Sequence, residues 1–314
     1  MKKRIDLHPL INNACDKSCS KEERQKHTID DICQNAISII DGLPVRCVGP
    51  WAYEKIYFLS RYFIMFAKGM KDKWNGNLAY FEICSGPGRC INRENAEEID
   101  GTPLVIMNSV GFQYLKKAYF IDIKQGIIDA LNKRINAKNI SSKAHALYGR
   151  YEDGDFIAKL INDTNNVGLN LVFIDPTDCS VPFSTIQKIT SVRHVDIILN
   201  MAVWTDLNRN LANAVLNPKF YSRQKYETFL GDSDFFNDPK IIQMAHYENH
   251  QDLRSLYMKR YRCKLQELGL EFVEEKQING YYNLVFASKN DRAHDLWCKA
   301  AESIQPDGQR QLLL

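Results

Sequence analysis

A chain of 314 residues, 45% hydrophobic and 25% charged, has the composition of a globular protein holding one large domain, or one domain with a substantial insertion. Its net charge of +3 and pI near 8.3 permit a nucleic-acid partner without requiring one. No apolar run approaches the roughly 20 residues of a membrane span, and Met1-Lys-Lys-Arg leads into no signal-peptide core, so a soluble, cytoplasmic protein without a membrane partner is expected.

Residues 1–48 read as a polar N-terminal extension, and Thr28–Ile40 has the pattern of a short amphipathic helix capped by Thr28. Four of the nine cysteines (Cys15, Cys19, Cys33 and Cys47) fall here with His27. Cys-x-x-x-Cys without a second close pair is poor zinc spacing, so free, reduced thiols are the reading and no metal site is assigned. A domain is expected over residues 49–304, with a frayed tail over 305–314.

Within that domain, apolar residues at helical spacing (Ile56, Leu59, Tyr62, Phe63, Phe66) predict a core helix between Trp51 and Trp74. Leu78–Cys84 is apolar except for Glu82 and stops at Ser85-Gly86-Pro87-Gly88, a buried strand feeding a tight loop. Arg89–Gly101 reads as polar and irregular, and Thr102-Pro103 starts a helix with Thr102 as its cap. A second strand ends at Asp122, a helix covers Ile127–Ile135, and a short strand covers Ala144–Tyr148. A helix then follows the loop to Asp153, and strands are expected at Leu169–Asp175 and Val195–Asn200.

Strands alternating with helices give a parallel sheet with right-handed crossovers. The regularity breaks over Met201–Asn249, a long, aromatic-rich stretch read as an irregular lid hinged at Asn200 and Trp204. A helix over Gln251–Leu268 follows, then two strands joined by Asn279-Gly280, the strongest short hairpin signal.

Three places carry candidate chemistry. The spacing Glu82-x-x-x-Gly86-x-Gly88 at a strand end is the pattern with which class I S-adenosylmethionine (SAM) methyltransferases wrap their cofactor. The third glycine of the dinucleotide fingerprint is missing, since Ile91 stands there. Asp122, with the adjacent Ile123, closes the second strand, where such folds bind ribose hydroxyls. Asp175-Pro176-Thr177-Asp178 ends the fourth strand, beside the switch point where ligands bind. There Asp175 could orient an acceptor amino group, or simply cap a turn. Asp or Asn-Pro-Pro-aromatic marks amino methyltransferases at this point; Thr177-Asp178 replaces its second half, leaving Phe183 or Trp204 to stack on a base. Basic residues interleaved with Tyr257 and Tyr261 could track a nucleic acid, although a solvated helix face produces the same string.

Taken together, Tyr80–Arg89, Gly101-Thr-Pro-Leu104, Phe120-Ile-Asp122, Phe173-Ile-Asp-Pro176, Val195–Leu211 and Tyr281–Trp297 resemble the three-Cys-motif partner (TcmP) proteins, a bacterial family. The resemblance covers about residues 50–303. It implies an α/β, Rossmann-like class I SAM-dependent methyltransferase fold, with a mostly parallel seven-stranded sheet closed by an antiparallel C-terminal hairpin. It also implies a genetically linked radical-SAM-like three-Cys-motif protein as a partner, and it fixes no substrate.

The expected site therefore places SAM against Glu82, Cys84, Ser85, Gly86, Pro87, Gly88, Asp122, Ile123 and Asp153. Asp175, Pro176 and Asp178 form the catalytic set, and Arg89, Asn200 and Trp204 face the substrate. The acceptor is a nucleic-acid amino group or another nitrogen or oxygen nucleophile, on a nucleic acid or a protein. The alternative is a catalytically inactive SAM-fold module that binds nucleic acid or a partner protein.

Overall fold

The computed structural model describes residues 37–92, 97–247 and 249–302. In chain order the first half runs β1 (Arg46–Val48), α1 (Trp51–Met70), β2 (Leu78–Ile83), β3 (Arg89–Asn92), β4 (Glu98–Asp100), α2 (Thr102–Asn108), β5 (Leu115–Asp122), α3 (Gln125–Ala137) and β6 (Ala144–Tyr148). The second half runs α4 (Gly154–Asn165), β7 (Leu169–Ile174), α5 (Phe183–Ser191), β8 (Val195–Met201), α6 (Asn208–Leu216), α7 (Arg223–Leu230), α8 (Pro239–His246), α9 (His250–Glu267), β9 (Phe272–Ile278), β10 (Tyr282–Ser288) and α10 (Asp291–Glu302). Seven strands form one sheet in the order β6-β5-β2-β7-β8-β10-β9, parallel except at the C-terminal hairpin, and β1-β3-β4 form a small second sheet. The described residues divide into two compact units, one spanning those up to Gly76, Cys84–Gly149 and those from Ala300, the other Asn77–Ile83 and Arg150–Lys299.

In the first unit, α1 buries Phe58, Leu59, Tyr62, Phe63 and Phe66 along one stripe, at roughly 1.5–3 kcal/mol for each fully buried side chain. Strands β5 and β6 pair in parallel, and α3 is fastened to β6 by Asn132, whose amide both donates to and accepts from the Ala146 backbone. The stretch after the glycine loop, expected to be irregular, is instead an antiparallel pair, β3 with β4, on whose other side β1 lies parallel. Polar sequence concealed it, because these strands are held by charged side chains as much as by burial. Ile37 forms a bridge with Pro44 and a turn follows, so the helix expected to Ile40 does not extend over residues 37–40. Its remainder, with Cys15, Cys19, His27, Cys33 and the 305–314 tail, lies outside the described residues. Gly101, rather than Thr102, caps α2.

The second unit has β2, β7 and β8 in parallel register, each buried along its whole length. β10 turns antiparallel against β8, and the β9–β10 hairpin closes on Asn279 and Gly280 in left-handed conformation, as the dipeptide predicted. Trp297 of α10 stacks on Phe286 with ring centroids 5.0 Å apart.

The aromatic segment after β8 is helical rather than irregular: a π-helical turn at Val203–Leu207, then α6, α7, a 3-10 turn at Asp234–Asn237, and α8. Each piece is short, ended by Asn217-Pro218, by left-handed Gly231 or by Asp238 capping at Pro239, so no single period runs through it. Its organiser is Arg223, buried at 7% exposure. That side chain donates to the carbonyls of Ala214 and Val215 at the end of α6 and to Asn237, pairs with Glu227, and lies over the Phe236 ring.

Replacing Arg223 by Met is expected to destabilise the fold by about 3 kcal/mol, the cost of stranding buried partners, and Arg223→Lys should recover little because an ammonium lacks the planar fork. Urea unfolding of the two variants measures this; wild-type stability in either would mean the guanidinium is dispensable.

Candidate functional site

β2 runs straight into the glycine loop, and the loop's shape follows from three left-handed residues: Cys84 (φ 64°), Gly86 (φ 68°) and Gly88 (φ 93°). The two glycines serve different ends. A Cβ at Gly88 would lie 2.9 Å from Leu131 Cδ1 and 3.3 Å from Leu104 Cγ, so Gly88 is required for packing against α2 and α3. Among the described residues a Cβ at Gly86 would meet Arg46 at 3.9 Å, an ordinary contact, so it is the left-handed backbone rather than close packing that calls for glycine there. The sequence reading gave both glycines to ligand approach; Gly88 is instead taken up by packing.

Two groups of the same unit hold the loop. The Asp122 carboxylate accepts the Gly86 N–H (3.0 Å) and the Lys124 N–H (3.2 Å) at the end of β5, and Ser85 N–H donates to Ile121 O (3.1 Å). Asp122 is buried at 3% exposure. Next to it, half-buried Ile123 leads into α3. Arg134, itself buried, donates to Pro87 O (2.5 Å) and Pro44 O (3.0 Å) and grips Asp41 with two bonds of 2.7 and 2.9 Å. Burial opposes ionisation of Asp41, but the Arg134 bonds, the Leu43 N–H and the Ser38 contact outweigh it and hold its pKa at about 2. Arg89, expected to face substrate, is engaged at 3.0 Å by Asp100 and at longer range by Asp41 and Glu98.

In the other unit, Glu82 is fully buried and accepts the Tyr80 hydroxyl at 2.9 Å. Burial and then the neighbouring Glu82 push the Tyr80 phenol well up. Asp153, assigned to the adenine, is exposed and caps α4 by accepting the Phe156 N–H. Asp175 continues β7 with its N–H on Ile83 O (3.0 Å), and its carboxylate accepts the Asn200 amide at 2.7 Å. Pro176 behind it is buried. Trp204 donates its backbone N–H to Tyr281 O, and Arg254 lies 3.9 Å over its ring.

Sequence reasoning missed the cluster that anchors the Asp-Pro-Thr-Asp loop. Asp206, from the π-helical turn, accepts from the Cys179 N–H (3.0 Å), the Lys225 ammonium (2.7 Å), the Tyr226 hydroxyl (2.6 Å) and Asn210 (3.2 Å). Lys225 reaches on to Asp178 at 3.3 Å. Burial works against the Asp206 carboxylate, and the Lys225, Tyr226 and Cys179 bonds more than offset it, leaving its pKa lowered. Burial, then Asp206 and Asp178, push the Cys179 thiol far up, which removes it as a nucleophile. No local pattern announces this cluster, since its members lie on separate elements.

Tyr257 and Tyr261 are core residues, and Arg260 pairs with Asp232, so α9 presents no aromatic platform interleaved with its basic side chains. Phe183 is likewise buried against Tyr261. No described helix is long and apolar enough to cross a membrane, and among the described residues no three His, Cys, Asp or Glu side chains gather to hold a metal ion.

The sheet order, its closing hairpin and the glycine loop after β2 define a Rossmann-like, class I SAM methyltransferase-like fold. No family model matches the chain, and no curated protein matches it. Among solved structures it is similar to the SAH-bound methyltransferase of Podospora anserina, at 11% identity over 72% of this chain and 76% of that one, TM-score 0.37. It is also similar to an O-methyltransferase family protein of Burkholderia thailandensis (11% identity, 72% and 56% coverage, TM-score 0.35). A third likeness is to M. capricolum TrmK in complex with S-adenosyl-homocysteine (12% identity, 71% and 67% coverage, TM-score 0.31). With scores this low, the fold assignment rests on the strand order itself.

Two expectations follow. Asp122→Ala strands one buried and one part-buried backbone N–H group and should cost about 1–3 kcal/mol without any ligand, read as a lowered melting temperature. An unchanged Tm would mean the loop is held without it. The Asp41–Arg134 pair stabilises fully above the ordinary carboxylate value of 3.8 and loses that stabilisation as pH falls toward 2, because the folded-state pKa is the lower one. Unfolding free energy followed from pH 5 to pH 2 should drop, and Asp41→Asn should flatten the drop; identical slopes would contradict the assignment.

Proposed function

We propose that this chain is a SAM-dependent methyltransferase of the three-Cys-motif partner type, acting on a nitrogen or oxygen nucleophile, with a nucleic-acid amino group favoured. The observation that carries the reading is the loop itself, left-handed at Cys84, Gly86 and Gly88 directly after the strand that bears Glu82, with the Asp122 carboxylate on the Gly86 N–H. A ribose diol would meet Asp122 at the end of β5, where its carboxylate already holds the Gly86 and Lys124 N–H groups. When bound, SAM supplies an electrophilic methyl on a sulfonium.

Asp175 serves the acceptor. Its carboxylate is held in one rotamer by Asn200 and followed by a rigid proline, which suits it to orient an amino or hydroxyl group. Asp175 would hold the acceptor's lone pair toward that methyl and take up the proton the acceptor releases. The contact of Asp178 with Lys225 supports the reading, because it draws the Asp178 carboxylate toward the Lys225 ammonium that Asp206 shares. The same resemblance suggests the radical-SAM-like three-Cys-motif protein as a partner, and a nucleic acid or protein as the acceptor.

Calorimetric titration with SAM and with S-adenosylhomocysteine tests the cofactor: saturable binding of both is expected. No heat and no thermal shift at millimolar ligand would leave the catalytically inactive binding module in its place. For the chemistry, Asp175→Ala should lower the methylation rate by roughly 100- to 10,000-fold while changing SAM affinity by no more than about twofold. A parallel loss of affinity would make Asp175 a binding residue instead.

A further inference from the structure

Between Asp206 and Glu227 the chain carries four cations and no carboxylate. Two of the four are used inside the fold, Arg223 on the end of α6 and on Glu227, and Lys225 on Asp206 and Asp178. The other two, Arg209 and Lys219, are exposed. Next to Lys219 stands half-buried Phe220, and its ring centroid lies 4.5 Å from that of Tyr221, which is 79% exposed. A single exposed ring needs no explanation, but these two line an open recess of about 480 Å³ together with Lys219 and Gln224. Glu227, which also lines it, is engaged by Arg223. The turn that carries the rings is fixed by its own backbone. Lys219 N–H donates to Asn217 Oδ1 (3.0 Å), Phe220 N–H to Asn217 O (2.9 Å) and Arg223 N–H to Phe220 O (2.9 Å). Its place in the fold matters as well. Tyr221 stands four residues, about one helical turn, before Lys225, whose ammonium touches Asp178 on the loop that bears Asp175.

We propose that this recess is a docking surface for a single-stranded nucleic acid, with a base stacked on Tyr221 against Phe220 and a backbone phosphate on Lys219. The inference rests on the nucleic-acid acceptor of the reading above and specifies its form as an unpaired strand. Aromatic rings beside a cation bind single strands because every unpaired base offers a face to stack, whereas a duplex keeps its base faces covered. An exocyclic amino group is also free to meet Asp175 only when its base is unpaired. The charge fits a polyanion, since Lys219 meets no carboxylate on its own segment and the Glu227 carboxylate is already taken. An apolar helix would find no groove here, because no leucine, isoleucine or valine lines the recess. The backbone bonds of the turn hold the rings in place before a strand arrives, so less ordering is lost on binding.

The test is fluorescence anisotropy on the full-length protein, without SAM, using a labelled mixed-sequence RNA strand, the DNA strand of the same sequence and the corresponding DNA duplex. Wild type should bind at least one of the single strands more tightly than the duplex. Tyr221→Ala should weaken that binding roughly 5- to 150-fold, the range of one lost base stack, and Tyr221→Phe should retain it. Lys219→Gln should lower the slope of log affinity against log salt by about 0.7, the share of one phosphate contact. Unchanged affinity in Tyr221→Ala overturns the proposal, as does an equal loss in Tyr221→Phe, or a duplex bound as tightly as either strand, which charge alone would produce. If Tyr221→Ala does not fold, the wild-type preference for a single strand and the Lys219→Gln slope decide. Calorimetry with SAM separates the two readings. Wild type that binds SAM and neither strand overturns this inference and leaves a methyltransferase with another acceptor, whereas Tyr221-dependent strand binding without SAM binding upholds the surface and overturns the enzyme.

Discussion

One buried guanidinium sets the geometry of the glycine loop. Arg134 sits at 4% exposure in the last turn of α3, where a cation is favourable, and spends its donors on Pro87 O, Pro44 O and the Asp41 carboxylate. A charge taken so far out of water is tolerated only when its donors are satisfied, and satisfying them requires the loop and the 41–44 turn to be where they are. Gly88 fits between Leu104 and Leu131 only while that loop is in place, and β1 reaches β3 from the same turn.

In the other unit the corresponding constraint is a carboxylate. Asp206 gathers a backbone N–H, an ammonium, a phenol and an amide, and so binds the turn after β8 to the loop after β7 and to α7. Asp175 stands four residues before Cys179 on that anchored loop, and Asn200 at the end of β8 fixes its side chain. A carboxylate held in this way loses little freedom on meeting a partner, which is the condition under which positioning contributes to rate. The aromatic residues of the segment after Met201 are largely spent on this scaffold: Tyr226, Phe229, Phe235 and Phe236 are buried. Trp204, which the sequence placed at a hinge, lies under Arg254.

Much of the fold is legible in the sequence because buried strands of a parallel sheet are continuous apolar runs. Leu78–Ile83 and Leu169–Ile174 can be read directly, and Asn279-Gly280 announces its hairpin. β3 and β4 are not legible in that way: they are short, and Arg89, Glu98 and Asp100 hold them by ion pairs that a periodicity does not reveal. The helices after Met201 are too short for a hydrophobic period to establish itself before a proline or glycine ends each one. At the site, Glu82, Gly86, Asp122 and Asp175 stand out because they terminate strands. Arg134 and Asp41 are 93 residues apart, Asp206 and Cys179 are 27 apart, and Lys225 and Asp206 are 19 apart, and side chains acting across such separations leave no local signature.

The central claim is that the loop at Gly86 is a cofactor seat, and a crystal structure of the full chain grown with S-adenosylhomocysteine tests it most directly. The account predicts ligand density against Gly86, with the ribose hydroxyls on Asp122 and the loop still fastened to Pro87 O by Arg134. Density at another place, or a Gly86 face covered by protein in the complex, would contradict it.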